Sequence, residues 1–204
     1  MYLQITNRCN MRCRHCCFDC TSTGEDMTFK TLKNALKNSD EYVTIGGGEP
    51  TVHPEFWKFL GYIMSQSETV HIITNGLRTE YALGIANLIQ NKKISGRLSL
   101  DKYHRKVSNK VIKAFQKANA VEFINYNELN NRFPSLIKSG RSKTGRETCP
   151  CEDIFVMPNG DIKQCGCLDA PIFGNVNRKV SWPEEFGDCY KNTNPQIINS
   201  QLPL

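Results

Sequence analysis

Three cysteines near the beginning of the chain, Cys9, Cys13 and Cys16, have the spacing of a metal-binding loop. Three residues separate the first two, and two residues separate the second two. A structural zinc ion takes four protein ligands, and a completed iron-sulfur cluster is commonly held by four thiolates. A compact loop with three thiols can therefore wrap one cluster and leave one metal corner free for a further ligand.

Two more thiols follow this loop directly and allow a different interpretation. Cys17 and Cys20 could join Cys13 and Cys16 in a tetrahedral zinc site. Short cysteine motifs are hypotheses that need structural context. At this point both a cluster and a zinc ion remain open.

A second motif, Gly46-Gly47-Gly48-Glu49-Pro50, follows a short apolar segment. Consecutive glycines let backbone groups approach a ligand closely. The G-x-G-x-x-G fingerprint of dinucleotide-binding folds is absent from this stretch. The pattern favours a loop that binds a ligand through its backbone.

The elements that position these motifs alternate along the chain. Apolar periodicity predicts strands over 2–6, 41–45, 69–74, 96–101 and 120–126, and helices over 27–38, 55–65, 80–91, 109–118 and, more weakly, 128–139. Such alternation implies βαβ crossovers and a parallel sheet, with the site at the carboxyl ends of the strands. Five repeats are fewer than a closed eightfold barrel needs. The sequence therefore predicts an α/β fold with an open, partial barrel.

The cysteine trio, followed about thirty residues later by Gly-Gly-Glu-Pro after a predicted strand, resembles the radical S-adenosylmethionine (radical SAM) superfamily. The resemblance implies a trimmed (β/α) barrel core and a 4Fe-4S cluster whose fourth iron is chelated by SAM. It also implies one-electron cleavage of SAM to a 5'-deoxyadenosyl radical. An external one-electron reductant, such as flavodoxin or ferredoxin, is the expected partner.

The resemblance also assigns roles by position. It makes Cys9, Cys13 and Cys16 the catalytic cluster ligands, and it places the methionine end of SAM on Gly47, Gly48 and Glu49. His15 stands where the family usually carries an aromatic residue that stacks on the adenine. Ser99 and Asp101 would face the ribose, although Asp101 could equally cap a turn, and His104 and Tyr103 could face the substrate.

A second group of cysteines follows a composition shift over 139–146. Asn159-Gly160 lies between two possible strands, 154–157 and 161–164, and predicts a β-hairpin. The hairpin would bring Cys149 and Cys151 beside Cys165 and Cys167, enough for zinc or for a cluster with protein ligands only. We therefore expect a core over 1–140 and a small Cys-rich β-hairpin module with a tail over 141–204.

This module resembles the SPASM and twitch extensions of radical SAM enzymes, which hold auxiliary 4Fe-4S clusters. Gly174-Asn175-Val176 matches the segment that follows in those extensions, and too few cysteines remain for the full SPASM set. The resemblance implies one auxiliary cluster on Cys149, Cys151, Cys165 and Cys167. Cys189 remains open as a ligand, a hydrogen-atom donor or an inert thiol.

Composition limits the environment and the partners. Ten cysteines without a signal-peptide pattern argue against a disulfide scaffold and for a reducing compartment, so a cytoplasmic location is expected. No apolar stretch approaches the length of a membrane span, so no membrane partner is expected. The formal net charge of +6 is compatible with an anionic partner such as a nucleotide or nucleic acid.

The sequence thus predicts a radical SAM enzyme that abstracts a hydrogen atom from its substrate. Peptide-modifying relatives are typically longer, and many carry a leader-binding domain for which this chain has no room, so a nucleoside or nucleic-acid base is the expected substrate. The alternative is epimerisation or cross-linking of a ribosomally made peptide. A non-enzymatic binding module stabilised by two zinc ions explains the cysteines but not the Gly-Gly-Glu-Pro loop.

Overall fold

The computed structural model describes residues 1–37, 41–101, 103–123, 139–143 and 154–178, with the backbone alone for 121–123. Five strands form the core sheet: β1 (Tyr2–Thr6), β2 (Tyr42–Gly47), β3 (Thr69–Thr74), β4 (Ser95–Leu100) and β5 (Val121–Phe123). Four helices connect them: α1 (Phe29–Leu36), α2 (Phe56–Gln66), α3 (Thr79–Gln90) and α4 (Asn109–Lys117). A short 3-10 helix, Pro50–Val52, follows β2.

All neighbouring pairs among the first five strands are parallel. The whole sheet has the order β5-β4-β3-β2-β1-β6-β7-β8, in which β6 (Phe155–Val156), β7 (Asp161–Lys163) and β8 (Ile172–Asn175) come from the later part of the chain. Since β5 and β8 are its two edges, the sheet stays open. The predicted partial barrel is confirmed, whereas the predicted helix over 128–139 lies almost entirely outside the described residues.

The core lies between the sheet and its helices. Strand residues such as Leu3, Ile45 and Ile72 are fully buried, as are Phe59 of α2 and Phe115 of α4. Burying each of these side chains contributes about 1.5–3 kcal/mol. The starts of α1 and α4 are fixed locally, since Thr28 caps α1 by accepting from the Thr31 amide and Ser108 caps α4 by accepting from the Lys110 amide. The core thus holds the strand ends, and the loops that follow them, in place.

Gly61 offers a simple test of this packing. It lies exposed within α2, and a Cβ added there would meet nothing within 4 Å. Glycine in a helix interior costs about 0.5–1 kcal/mol relative to alanine. We therefore expect Gly61→Ala to raise the free energy of unfolding by about that amount in urea denaturation. A loss of stability would show that α2 does not have this exposed face.

The predicted hairpin is confirmed, since β6 and β7 pair antiparallel around Gly160, whose φ is +91°. The sequence did not indicate where the hairpin packs. β6 lies parallel to β1, with Tyr2 opposite Phe155, and the rings of these two residues stack with centroids 4.9 Å apart. The later part of the chain therefore extends the core sheet, while the proposed boundary near residue 140 remains a prediction.

None of the helices among the described residues combines the length and apolar character needed to cross a membrane.

Candidate active site

A cleft of about 480 Å³ opens at the carboxyl ends of β1 to β4. Its volume lies within the ~300–1,000 Å³ range of small-molecule sites. The cleft brings together all the residues that the sequence assigned to the cluster and to SAM: Cys9, Cys13, His15, Cys16, Gly47, Gly48, Glu49, Ser99 and Asp101. These residues come from three separate segments, after β1 and at the ends of β2 and β4, and the parallel sheet is what makes them neighbours.

The cysteine loop begins shortly after β1 and is held by backbone hydrogen bonds. The Cys9 amide donates to the Thr21 carbonyl at 2.6 Å, and the Cys16 amide donates to the Cys13 carbonyl at 3.3 Å. The Cys9 sulfur accepts from the Met11 amide at 3.4 Å and lies 3.9 Å from Asn75 Nδ2. Hydrogen bonds from N–H groups to sulfur stabilise thiolate, the form that binds a metal.

The thiols of the loop differ in acidity. The Cys20 thiol donates to the Cys16 sulfur and is the largest cause of a Cys16 pKa lowered to about 6, which burial opposes. Burial raises the pKa of Cys9 to about 11, against the hydrogen bond from the Met11 amide. Burial, followed by the neighbouring Cys16, also raises the pKa of Cys13. Cys16 is therefore the thiol most ready to bind a metal.

Thiol labelling tests this difference. In iron-free protein near neutral pH, iodoacetamide is expected to modify Cys16 about tenfold faster than Cys9, because the thiolate is the nucleophile and Cys16 has the larger thiolate fraction. A thiolate of lower pKa is intrinsically less reactive, but this offsets only part of the difference in thiolate fraction. Raising the pH toward the pKa of Cys9 should reduce the ratio. Peptide mapping by mass spectrometry measures both rates. Equal rates at neutral pH would contradict the assigned acidities.

The thiol arrangement fits a cluster better than a single ion. Tetrahedral Zn–S bonds of ~2.3 Å bring the sulfur atoms to roughly 3.8 Å from one another. Within the described part of the chain, the one group of three His, Cys, Asp or Glu residues whose ligand atoms all lie within 4.8 Å is His15, Asp101 and His104. Cys13, Cys16, Cys17 and Cys20 thus form no compact single-ion site, whereas a cluster of several metal atoms needs ligands spread more widely.

The glycine loop packs tightly on the start of the cysteine loop. A Cβ added to Gly48 would lie 2.1 Å from the Arg8 carbonyl oxygen, and Gly47 has a φ of +108°. The Gly48 amide donates to the Thr6 carbonyl at 3.0 Å, and the Glu49 amide donates to the Arg8 carbonyl at 2.9 Å. Glycine is required here because no side chain fits between the two loops.

Glu49 is 1% exposed, and its carboxylate joins the ends of β2 and β3. Oε1 accepts from the Thr51 amide at 3.2 Å, from the Thr51 hydroxyl at 2.6 Å and from the Thr74 hydroxyl at 2.7 Å. Oε2 accepts from the Asn75 amide at 2.7 Å. Burial raises the pKa of Glu49, while these hydrogen bonds act against burial. Oε2 retains a lone pair for one further donor.

Asp101 caps the turn after β4, as one of the two interpretations of the sequence predicted. Its Oδ1 accepts from the Tyr103 amide at 2.7 Å and from the His104 amide at 3.2 Å, and it lies 2.7 Å from His104 Nδ1. Burial raises the pKa of Asp101, but the hydrogen bond and charge of His104 outweigh burial, so the pKa lies below its usual value. The ribose contact stays a prediction.

His15 stands on the other side of Asp101, with its Nε2 at 3.7 Å from Asp101 Oδ2. Its ring lies 4.6 Å from the Tyr103 ring and 5.2 Å from the His104 ring, centroid to centroid. Burial lowers the pKa of His15, against the charge of Asp101. His15 is therefore a mainly neutral planar ring in the cleft wall, and its contact with adenine stays a prediction.

Only half of the second cysteine group can be located. Cys165 and Cys167 are buried, whereas Cys149, Cys151 and Cys189 lie outside the described residues. A Cβ added to Gly166 would lie 1.9 Å from the Phe18 ring, so the Cys165–Gly166–Cys167 turn contacts the end of the first cysteine loop. The two cysteine groups are therefore neighbours in the fold.

Two residues that contribute to the site were given no role by the sequence analysis, although Asn75 belongs to a strand end, 74–76, that was expected to bear chemistry. Asn75, which follows β3, contacts the cysteine loop by donating from Nδ2 to Asn10 Oδ1 at 2.8 Å. Its place at a strand end was a signal, but its partners were not predictable. Arg141 donates to the carbonyl oxygens of Cys13 and Cys20. Because Arg141 lies 128 positions after Cys13 in the sequence, no local pattern indicates this contact.

Comparison with known proteins agrees with this geometry. A protein-family model described as the radical SAM superfamily matches residues 3–124. The mycofactocin maturase MftC of Mycobacterium ulcerans is 30% identical over 126 residues, which are 58% of this chain and 33% of that relative. The S-adenosylmethionine-dependent nucleotide dehydratase of Selenomonas ruminantium is 32% identical over 79 residues, which are 36% of this chain and 28% of that relative.

The match to these curated relatives spans about a third of their length or less. A solved structure, BtrN in complex with AdoMet and 2-DOIA, superimposes with a TM-score of 0.62 at 13% sequence identity. The superposition covers 86% of this chain and 77% of BtrN. At this identity the likeness concerns the fold, and it extends beyond the region that the family model matches.

Proposed function

The chain belongs to the radical SAM superfamily, and on that premise we propose that it abstracts a hydrogen atom from a ribosomally made peptide. Membership of the family makes the protein an enzyme that uses a 4Fe-4S cluster and SAM. When bound, these groups supply the 5'-deoxyadenosyl radical. The observation that carries the radical chemistry of this proposal is that one cleft is lined by the cysteine loop, the glycine loop and the polar ends of β3 and β4.

The residues of this cleft have separate proposed roles. Cys9, Cys13 and Cys16 hold the cluster. The hydrogen bond from Cys20 favours the thiolate of Cys16, and the hydrogen bond from the Met11 amide to the Cys9 sulfur opposes the effect of burial on Cys9. The backbone of Gly47 and Gly48 and the free lone pair of Glu49 Oε2 hold the methionine end of SAM. The methionine end of SAM carries an amino group, and the Glu49 carboxylate can accept a hydrogen bond from that group.

The remaining polar residues position the nucleoside half of SAM. Ser99 and Asp101 line the cleft beyond the glycine loop, and the Asp101 carboxylate is fixed by the backbone of the turn that it caps. A fixed carboxylate can accept from ribose hydroxyls without reorganising. His15 offers a flat, mainly neutral ring on which the adenine can stack.

A second 4Fe-4S cluster belongs to the same proposal. Cys165 and Cys167 are its ligands among the described residues, and Cys149 and Cys151 complete the set by sequence. Two observations support it: the two thiols share one buried turn, and that turn contacts Phe18 of the first cysteine loop. A cluster so close to the first could bind substrate or accept an electron from the product radical.

The choice of a peptide depends on the curated relatives. A maturase is named for converting a precursor into its mature form, and a ribosomally made peptide is such a precursor. This outweighs the length argument, which favoured a nucleoside. A nucleotide is the second candidate, because the shorter match is to an enzyme named for acting on nucleotides and the chain carries a net charge of +6.

Substrate-dependent SAM cleavage distinguishes the two classes. Anaerobically reconstituted protein, reduced with dithionite, is incubated with SAM and either peptides encoded beside its gene or a set of nucleosides and nucleotides. We expect only a peptide to accelerate 5'-deoxyadenosine formation and to change in mass. Acceleration by a nucleotide alone would reject the peptide and leave the radical SAM assignment intact.

A further inference from the structure

A short turn over 139–143 packs against the first cysteine loop. The Ser142 amide donates a hydrogen bond of 3.0 Å to the Ser139 carbonyl, which closes the turn, and both serines are buried. Gly140 has a φ of +56°, and a Cβ there would lie 2.6–2.9 Å from backbone atoms of Cys16 and Cys17. The turn therefore contacts the loop at van der Waals distance, with no space for a side chain between them.

Arg141 lies at the centre of this contact. Its amide donates to the Cys16 carbonyl at 3.0 Å. Its guanidinium donates from Nε to the Cys13 carbonyl at 3.0 Å, from Nη2 to the Cys20 carbonyl at 2.7 Å and from Nη1 to Asp19 Oδ1 at 2.6 Å. One side chain thus ties together a loop segment of eight residues, Cys13 to Cys20.

The same side chain adds a positive charge beside the thiols. The Arg141 side chain is 18% exposed, whereas its partner Asp19 is 48% exposed and is more strongly screened by water. The loop therefore experiences a net positive field from this side.

We propose that Arg141 is a positioning residue that holds the cysteine loop in the shape a cluster needs and raises the reduction potential of that cluster. This inference rests on one part of the proposed function, namely that the cysteine loop binds an iron-sulfur cluster. Reduction adds one electron to the cluster, and a nearby cation stabilises the more negative state. Removing the charge makes the cluster harder to reduce, and removing the three N–H donors of the guanidinium (the guanidinium fork) loosens the loop.

The test compares three variants by EPR-monitored redox titration without SAM, using the signal that Cys9→Ala removes. Arg141→Gln loses both charge and fork, Arg141→Lys keeps the charge, and Lys113→Gln removes a charge from an exposed position on α4. At a fixed potential we expect Arg141→Gln to lower the ratio of reduced to oxidised cluster about tenfold, which corresponds to a shift of 59 mV for a one-electron couple. Arg141→Lys should stay near wild type in potential but retain less iron, and Lys113→Gln should match wild type in both.

Each result decides one part of the proposal. An unchanged potential in Arg141→Gln, or an equal shift in Arg141→Lys, would overturn the role of the charge. If Arg141→Gln binds no iron, the positioning role is supported, and the charge is then judged on Arg141→Lys, whose potential must stay at the wild-type value. Full iron retention in both variants would overturn the positioning role. Because the titration contains no SAM, its results can be interpreted even if the proposed hydrogen-atom abstraction from a peptide does not occur.

Discussion

Replacing Cys9, Cys13 or Cys16 singly with alanine is expected to reduce SAM cleavage to the level of a control without protein. Each of the three thiols is the proposed ligand of one iron, so the loss of one opens a second iron to solvent. The cluster should then be lost or become unable to deliver an electron. Iron content and 5'-deoxyadenosine formation, measured after anaerobic reconstitution, check both parts of this prediction.

Cys20→Ala is the matched control. Cys20 is 3% exposed, and its sulfur accepts from Gln4 Nε2 at 3.7 Å. Because its proposed role is only to donate to Cys16, the variant should keep its cluster and most of its activity, with a higher Cys16 pKa. The zinc interpretation predicts the opposite pattern, in which Cys9 is dispensable and Cys20 is essential. Full cleavage in any of the three variants would contradict the assignment of the ligands.

Glu49→Ala is expected to lower the free energy of unfolding by about 3 kcal/mol and to abolish SAM binding. The substitution leaves the Thr51 amide, the Thr74 hydroxyl and the Asn75 amide without their acceptor in a buried site. A buried donor without a partner costs about 1–3 kcal/mol. Urea denaturation gives the loss of stability, and calorimetric titration with SAM gives the loss of binding.

Two further variants separate stability from ligand binding. Glu49→Gln keeps the shape of the side chain and the Oε1 acceptor but replaces Oε2 with an N–H donor. We therefore expect it to lose about half as much free energy of unfolding as Glu49→Ala. We also expect it to lose the contact with the SAM amino group completely. Glu55→Ala removes an exposed carboxylate that pairs with Lys58 at 2.6 Å, and it should change stability by no more than about 0.5 kcal/mol. Wild-type SAM affinity in Glu49→Gln would reject the proposed contact.

The parallel core was predictable because its signals are local. The apolar strand segments and the intervening helix periodicity fixed the order of elements, and the rule that sites lie at carboxyl ends then placed Cys9, Gly48 and Asp101 on one edge. The Asn159-Gly160 turn predicted the hairpin for the same reason. Boundaries differed by a few residues: α1 spans Phe29–Leu36, where 27–38 was expected.

What the sequence could not give depends on contacts between distant segments. Nothing near Phe155 indicates that its strand pairs with β1, and nothing near Arg141 indicates that its guanidinium reaches the Cys13 carbonyl. The motif marked Glu49 as a residue of the ligand site, yet its partners at Thr74 and Asn75 lie on the next strand end. Such contacts are decided by packing, which a one-dimensional pattern does not record.

The most direct test of the central claim is the EPR spectrum of the reduced, anaerobically reconstituted protein with and without SAM, measured together with its iron, sulfide and zinc content. If Cys9, Cys13 and Cys16 hold a cluster with one open iron, the spectrum must change when SAM is added, with about eight irons per chain when both proposed clusters are filled and about four when only the first is. A spectrum that SAM leaves unchanged, or a protein that takes up two zinc ions and no iron, would contradict the claim.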